Sequence, residues 1–138
     1  MIIVLYEESE YCIKTKNGTT RFFKIMSGFR QGCVLSPMLL IIIIDYTLRF
    51  ASGYGVKVSN KPLFDMHFAD DFVLLEESKE RLQQLLDTIT ENAKNVGLKI
   101  NVDKSKSMAI TTSPLVLNCK NKDLEKVQEF KYLGGWID

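Results

Sequence analysis

The stretch Leu63-Phe64-Asp65-Met66-His67-Phe68-Ala69-Asp70-Asp71-Phe72-Val73-Leu74-Leu75 decides how this chain is read. Residues 63–68 and 72–75 have the length and apolar content of short strands, and Ala69-Asp70-Asp71 between them reads as a turn. Phe68 and Phe72-Val73-Leu74-Leu75 are core-type residues, so the expectation is a rigid sheet with two carboxylates projecting from its tip. Adjacent carboxylates repel each other unless a cation or a proton compensates. A hard divalent cation takes oxygen ligands, often one or two carboxylates plus substrate phosphates. Such a tip therefore suits phosphoryl or nucleotidyl transfer. A polar turn with two solvated acids contains the same dipeptide, so Asp70-Asp71 alone leaves both readings open.

The surroundings build outward from that hairpin. On the C-terminal side, Leu82, Leu85, Leu86, Ile89 and Ala93 recur at helical spacing from Ser78, and Gly97 stands where a helix would stop. On the N-terminal side, Ser36-Pro37 reads as a helix start, with Ser36 as N-cap and Pro37 at the first helical position. That helix is expected to run to about Ala51, with Ser52-Gly53 and Gly55 ending it. It is apolar nearly all round, which implies burial on most sides. Residues 11–15 and 20–25 read as a hairpin about an Asn17-Gly18 turn, and Gly28 to Gly32 as a loop. Leu98 to Asn101, Ser107 to Thr111, 115–118 and 128–133 read as strands, with Pro114 breaking the chain. The order of elements points to an α+β domain with helices packed on one face of an antiparallel sheet.

Composition narrows the class. The chain has 138 residues, 46% of them hydrophobic and 25% charged, which suits one globular domain with a real core. Net charge is only +1 but it is unevenly spread: +3 over residues 1–60, −5 over 61–91 and +3 over 92–138. An acidic centre with basic flanks suits a cation site beside a polyanion path, and equally a solvated acidic helix. Cys12, Cys33 and Cys119 are widely spaced, and His67 has no partner at ligand spacing. A disulfide framework or zinc site is therefore not expected, and a reducing intracellular setting fits. Nothing distinguishes nucleus from cytoplasm. The start Met1-Ile2-Ile3-Val4-Leu5 has no basic n-region before Glu7 and Glu8. The apolar run Met38 to Ile44 is too short to span a bilayer, so no membrane partner is expected.

Four segments in series carry a resemblance. Gly28-Phe29-Arg30-Gln31-Gly32-Cys33-Val34-Leu35-Ser36-Pro37 resembles motif B of non-LTR (LINE-like) retrotransposon reverse transcriptases. Phe68-Ala69-Asp70-Asp71 resembles motif C, with Phe in place of the more familiar Tyr. Gly97-Leu98-Lys99-Ile100-Asn101 with Lys104-Ser105-Lys106 resembles motif D, and Phe130-Lys131-Tyr132-Leu133-Gly134 resembles motif E. They stand in the family's order and cover most of the chain from Thr20 to Asp138. The resemblance implies a polymerase palm and RNA-directed DNA synthesis by two-metal nucleotidyl transfer. The implied cofactor is Mg²⁺, and the implied partners are an RNA template, a DNA primer and deoxynucleoside triphosphates.

The resemblance also implies roles. Asp70 is the direct metal ligand, and Asp71 adds charge and sometimes ligation. Phe68 lacks a tyrosine hydroxyl, so any role needing one is absent. Lys104 resembles the lysine that assists the pyrophosphate leaving group, where a cation offsets developing charge; Lys99 and Lys106 are neighbours of the same type. Arg30, Gln31 and Gly32 resemble substrate-contacting positions: a phosphate partner, a hydrogen-bonding amide and a backbone that approaches a nucleotide closely. A surface pair and a plain turn are the alternatives for Arg30 and Gly32. Ser36 and Pro37 read as structural. Tyr132, Leu133 and Gly134 resemble the segment that positions the primer end; a core strand is the alternative.

One part of the pattern is not found. Motif A, which supplies a further carboxylate, lies well upstream of motif B in this family. The residues before Gly28 contain no Asp, and Glu7, Glu8 and Glu10 lack the motif's surroundings. Neither Asp45 nor Asp65 is expected to replace it. Residues 1–138 are thus expected to form a partial domain, without motif A, most of the fingers and the thumb. Whether such a segment is an enzyme by itself is left open, and the expectation is inactivity alone. The alternatives are a remnant that at most binds nucleic acid, and an unrelated metal-dependent phosphohydrolase, which leaves motifs B, D and E unexplained. Oligomeric state is not legible.

Overall fold

A computed structural model describes residues 9–25, 28–30, 32–51, 53–110 and 115–138. The expectations for Ser52, Thr111 and Pro114, and the acids Glu7 and Glu8, lie outside the described residues. The chain divides into two compact units, the second spanning Ile41–Asp138 and the first the residues before it.

In the first unit, β1 (Glu10–Tyr11), β2 (Lys14–Thr15), β3 (Gly18–Thr19) and β4 (Phe23–Lys24) form the expected hairpin. β2 pairs with β3 at its tip and β1 with β4 at its base. The turn is Lys16-Asn17, with Gly18 already on the returning strand. The Thr20 side chain breaks the ladder between the two pairs by accepting from the Ile13 N–H at 2.9 Å.

Helix α1 is Leu35–Leu48, two residues earlier at its start than Ser36 as N-cap requires and shorter than the expected end near Ala51. Ser36 is inside the helix. Its hydroxyl donates instead to the Arg30 carbonyl at 2.7 Å. Pro37 still falls in the first turn, where a missing N–H costs nothing. The expectation of burial on most sides is also corrected. Ile44, Thr47 and Leu48 are buried, and so is Ala51 just beyond, whereas Leu35, Met38, Ile41, Ile42 and Tyr46 are exposed. An apolar sequence sets where a helix can pack, and among the described residues only one side of α1 is covered.

The second unit is organised by α2 (Lys79–Asn95), which behaves as its periodicity says. Ser78 is the N-cap and its hydroxyl accepts from the Arg81 N–H at 3.2 Å. The C-terminus closes with two bonds, Gly97 N–H to Lys94 C=O at 3.0 Å and Leu98 N–H to Ala93 C=O at 2.8 Å. This is the Schellman pattern, and it needs the φ of +79° that Gly97 adopts. Leu85, Leu86, Ile89 and Ala93 form the buried stripe. One core cluster joins Leu86 to Leu115, Leu117, Cys119 and Leu124. At the other side the Asn92 amide donates to the Thr47 carbonyl of α1 at 3.2 Å.

Strands in this unit pair locally. β5 (Val56–Val58) pairs with β6 (Lys61–Leu63), β7 (Asp65–Phe68) with β8 (Asp71–Leu74), β10 (Asn118–Cys119) with β11 (Lys122–Asp123), and β13 (Phe130–Tyr132) with β14 (Gly135–Ile137), all antiparallel. β9 (Lys106–Ser107) pairs with β12 (Glu125–Lys126) in parallel. Thus the mixed α+β class holds, but the single antiparallel sheet does not: the described residues form seven two-stranded sheets. Leu98 to Asn101 is not a strand, because the chain there leaves the α2 cap and enters the Asn101–Ser105 turn. The 115–118 strand survives only from Asn118; Leu115 and Leu117 bury their side chains in the core, and the Leu117 carbonyl accepts from the Leu124 N–H at 2.8 Å beside the β10–β11 pair. The strand expected over 107–111 shortens to Lys106–Ser107. No helix among the described residues is long and apolar enough to cross a membrane.

The cavity rule gives a direct check. Leu85 is fully buried while its neighbour Gln84 is exposed. Leu85→Ala is expected to cost about 2–5 kcal/mol in urea denaturation, against less than about 0.5 kcal/mol for Gln84→Ala.

Candidate functional site

The β7–β8 hairpin builds the acidic tip. Its register pairs Phe68 with Asp71, His67 with Phe72, Met66 with Val73 and Asp65 with Leu74. Asp71 is therefore the first residue of β8, and the turn itself is Ala69-Asp70. Ala69 sits at φ +53°, a conformation that costs a β-carbon residue energy and is kept only where the hairpin imposes it. Alternation along the ribbon puts Asp71 on the face of Phe68, Met66 and Val73, and Asp65 and His67 on the other face. Asp70 and Asp71 are both exposed. Among the described residues neither carboxylate has an ion-pair or hydrogen-bond partner, so both oxygen sets are available to a ligand.

Phe68 departs from its expected place. It is 66% exposed rather than in the core. It stands opposite Asp71 at the open end of a two-stranded ribbon, where no third strand covers it.

The hairpin's base is held by Glu76, just beyond β8, whose side chain is only 2% exposed. Its Oε2 accepts from the Gly55 N–H at 2.7 Å, and its Oε1 from the Glu77 N–H and from Arg81 Nε, each at 3.0 Å. Arg81 also donates to the Gly53 carbonyl at 2.5 Å and lies over the Tyr54 ring at 5.3 Å. A β-carbon at Gly55 would fall 2.6 Å from the Leu63 carbonyl oxygen, so the turn after α1 runs against β6 with no room for a side chain. Glu76 is not singled out by the sequence, because Glu77 and Glu80 look alike; only the fold buries one of the three among several donors, Glu77 taking a single long bond from the Lys57 N–H at 3.5 Å.

The β13–β14 ribbon approaches the same hairpin. The Tyr132 hydroxyl donates to the Met66 carbonyl at 3.3 Å across 66 positions of sequence. Leu133 (φ +47°) and Gly134 (φ +87°) form the ribbon's two-residue turn, the twist that antiparallel strands favour. Leu133 is exposed at this tip, which removes the core-strand alternative for it.

The lysines are sorted by their partners. Lys106 is paired with Glu125 and Lys122 with Asp103. Lys104 is exposed in the Asn101 turn, its N–H bonded to the Asn101 carbonyl at 3.2 Å, and its ammonium has no partner among the described residues. Of the motif B candidates, Arg30 is exposed with Nη1 3.3 Å from Ser9 Oγ, and Gly32 has φ +82° with open space around its α-carbon. Gln31 lies outside the described residues. These positions belong to the first unit and the acidic tip to the second.

The reverse face of the hairpin holds a pair that sequence spacing missed. His67 Nδ1 and Asp65 Oδ2 are 2.7 Å apart, an i,i+2 contact that only a strand makes. No group of three His, Cys, Asp or Glu side chains among the described residues stands close enough to hold a metal ion. The tip therefore offers a hard cation two oxygen-donor groups and not a closed set.

Residues 3–137 match the reverse transcriptase (RNA-dependent DNA polymerase) family. The chain belongs to that family, as a reverse transcriptase domain of the non-LTR retrotransposon type. It is 37% identical over 120 residues to the retrovirus-related Pol polyprotein from type-2 retrotransposable element R2DM of Drosophila melanogaster, covering 78% of this chain and 11% of that protein. It is 30% identical over 113 residues to the Pol polyprotein from type-1 retrotransposable element R2 of Nasonia vitripennis, covering 81% of this chain and 11% of that protein. A Pol polyprotein from type-1 retrotransposable element R2 of Popillia japonica is 29% identical over 132 residues, covering 86% of this chain and 19% of its own length. The chain thus spans a tenth to a fifth of these relatives.

Glu76 makes the hairpin's anchorage dependent on pH. Burial pushes its carboxyl up, but the Gly55 N–H, Arg81 and the Glu77 N–H more than offset this and hold it below the usual glutamate value. Between the folded and unfolded values the unfolded chain binds more protons, so stability rises with pH there. The contribution is fully present above the unfolded value of about 4.3 and is lost as pH falls through the folded one. Glu76→Gln is expected to cost about 1–3 kcal/mol at neutral pH. Urea midpoints taken across the acid range should show the gap between the two proteins closing as pH drops below about 4.

Proposed function

We propose that this chain is a palm segment of a retrotransposon polyprotein and contributes Asp70 and Asp71 to the metal-binding part of an RNA-directed DNA polymerase site. The observation that carries the reading is the family match over residues 3–137 together with two unpartnered carboxylates on the β7–β8 turn. Reverse transcriptases use a divalent metal, and Mg²⁺ fits the all-oxygen chemistry of this pair. When bound, such an ion supplies Lewis-acid activation and neutralises phosphate charge. Asp70, on the turn itself, is the more direct ligand; Asp71, fixed in the first position of β8, holds its charge at the same tip.

The reaction is attack of a primer 3′-hydroxyl on the α-phosphorus of a deoxynucleoside triphosphate. A P–O bond forms to the primer, the bond to the β-phosphate bridge breaks, and pyrophosphate leaves with the bonding pair. Lys104 offsets the negative charge on that leaving group; its ammonium is exposed with no partner among the described residues, whereas Lys106 is committed to Glu125 and is the poorer candidate. Arg30, Gln31 and Gly32 serve template or nucleotide contact. Tyr132, Leu133 and Gly134 position the primer end from a ribbon tied to Met66 in the motif C strand. The template is RNA and the primer DNA. The family match sets aside the unrelated phosphohydrolase, which explains none of these further segments.

Two carboxylates do not complete a two-metal site, and the relatives are several times longer than this chain. The 138-residue polypeptide by itself therefore binds template-primer without extending it. In a longer polyprotein carrying this segment, Asp70→Asn should lower primer extension on poly-rA/oligo-dT by at least about 10²-fold. The isolated chain should give none. Extension by the isolated chain that disappears with Asp70→Asn would show that it holds a complete site.

A further inference from the structure

The β13–β14 ribbon has two faces with different chemistry. Its register pairs Phe130 with Ile137, Lys131 with Trp136 and Tyr132 with Gly135. Phe130, Tyr132 and Ile137 are half-buried and share the face from which Tyr132 reaches Met66. Lys131 and Trp136 share the opposite face. Trp136 is 64% exposed, and the Lys131 ammonium lies 5.9 Å from the centre of its ring. Unlike Lys106 and Lys122, Lys131 has no carboxylate partner among the described residues.

We propose that this outer face is a contact for single-stranded nucleic acid, with a base stacked on the Trp136 indole and the adjoining phosphate taken by Lys131. An exposed indole gives any base a π-surface, and a cation beside it neutralises the backbone that accompanies the base. The contact is sequence-tolerant, because every base has a face to stack. Glu129 and Asp138 line a depression against Trp136 that Lys131 does not line, so a polyanion approaches the indole where the Lys131 ammonium stands and not from that depression. The face is distinct from the Tyr132 side and lies away from the acidic hairpin, so it binds strand outside the reacting end. The inference rests on the polymerase reading for its choice of polyanion.

The chain contains one tryptophan, so its fluorescence reports this site alone. Titration of the 138-residue protein with fluorescein-labelled oligothymidylate, and separately with oligouridylate, should quench Trp136 along the same isotherm that raises the label's anisotropy. Trp136→Ala should weaken binding about tenfold, the loss of one stacked base, and Trp136→Phe should weaken it less. Lys131→Ala should lower affinity and reduce the salt slope by about one. Circular dichroism of each variant checks that the ribbon change leaves the fold intact. Anisotropy binding that leaves Trp136 unquenched and is unchanged in Trp136→Ala overturns this site while the polymerase reading stands. No anisotropy change with either oligonucleotide overturns the site and, with it, the proposal that this chain binds template-primer unaided.

Discussion

A buried carboxylate surrounded by donors is the constraint on which the second unit depends. Glu76 lies just beyond β8, and its two oxygens take the Gly55 N–H, the Glu77 N–H and Arg81 together. Those bonds bring the turn after α1, the exit of the acidic hairpin and the first turn of α2 to one point. A charge removed from water is tolerated only when its lone pairs are filled, and here the filling groups come from three separate segments. Gly55 is part of the same constraint, since any side chain there meets the Leu63 carbonyl. Among the described residues the acidic ribbon has no third strand, so its position rests on this base, on Leu74 packed against the core and on the Tyr132 bond to Met66.

The arrangement separates rigid support from exposed chemistry. Buried leucines on α2 and the Leu115–Leu124 segment hold the second unit's core. Asp70, Asp71 and Lys104, whose side chains face solvent without partners among the described residues, sit on turns or strand ends. This is where binding chemistry is expected, on connections positioned by a packed scaffold. Tyr132 links two such exposed ribbons through a single bond to the Met66 backbone. Because it uses a carbonyl rather than a side chain, the link is indifferent to which residue stands at position 66.

The legible parts of the fold are those set by local rules. The α2 cap, its apolar stripe and its Gly97 stop follow from Ser78, from leucine spacing and from a glycine's freedom at positive φ. The two hairpins at Asn17-Gly18 and Ala69-Asp70 were also legible, within a residue. The errors have a common cause. Leu98 to Asn101 and 115–118 are apolar enough to read as strands, yet Ile100, Leu115 and Leu117 give their side chains to the α2 core, and of these stretches only Asn118 joins a β-ladder. Phe68 and the outer face of α1 were read as buried for the same reason, and neighbours, not composition, decide burial.

The sequence by itself pointed to the reverse transcriptase family, which the match over residues 3–137 bears out. It also determined the two helices, since periodicity and caps act within a few residues. Tertiary structure alone decided which of several similar charged residues is engaged. Glu76 is buried while Glu77 and Glu80 are not, Lys106 is paired while Lys104 has no partner among the described residues, and Trp136 lies outward while Tyr132 lies inward. The physical reason is distance along the chain. A side chain's partners at 20 to 66 positions away are set by packing and register, and no local pattern encodes them.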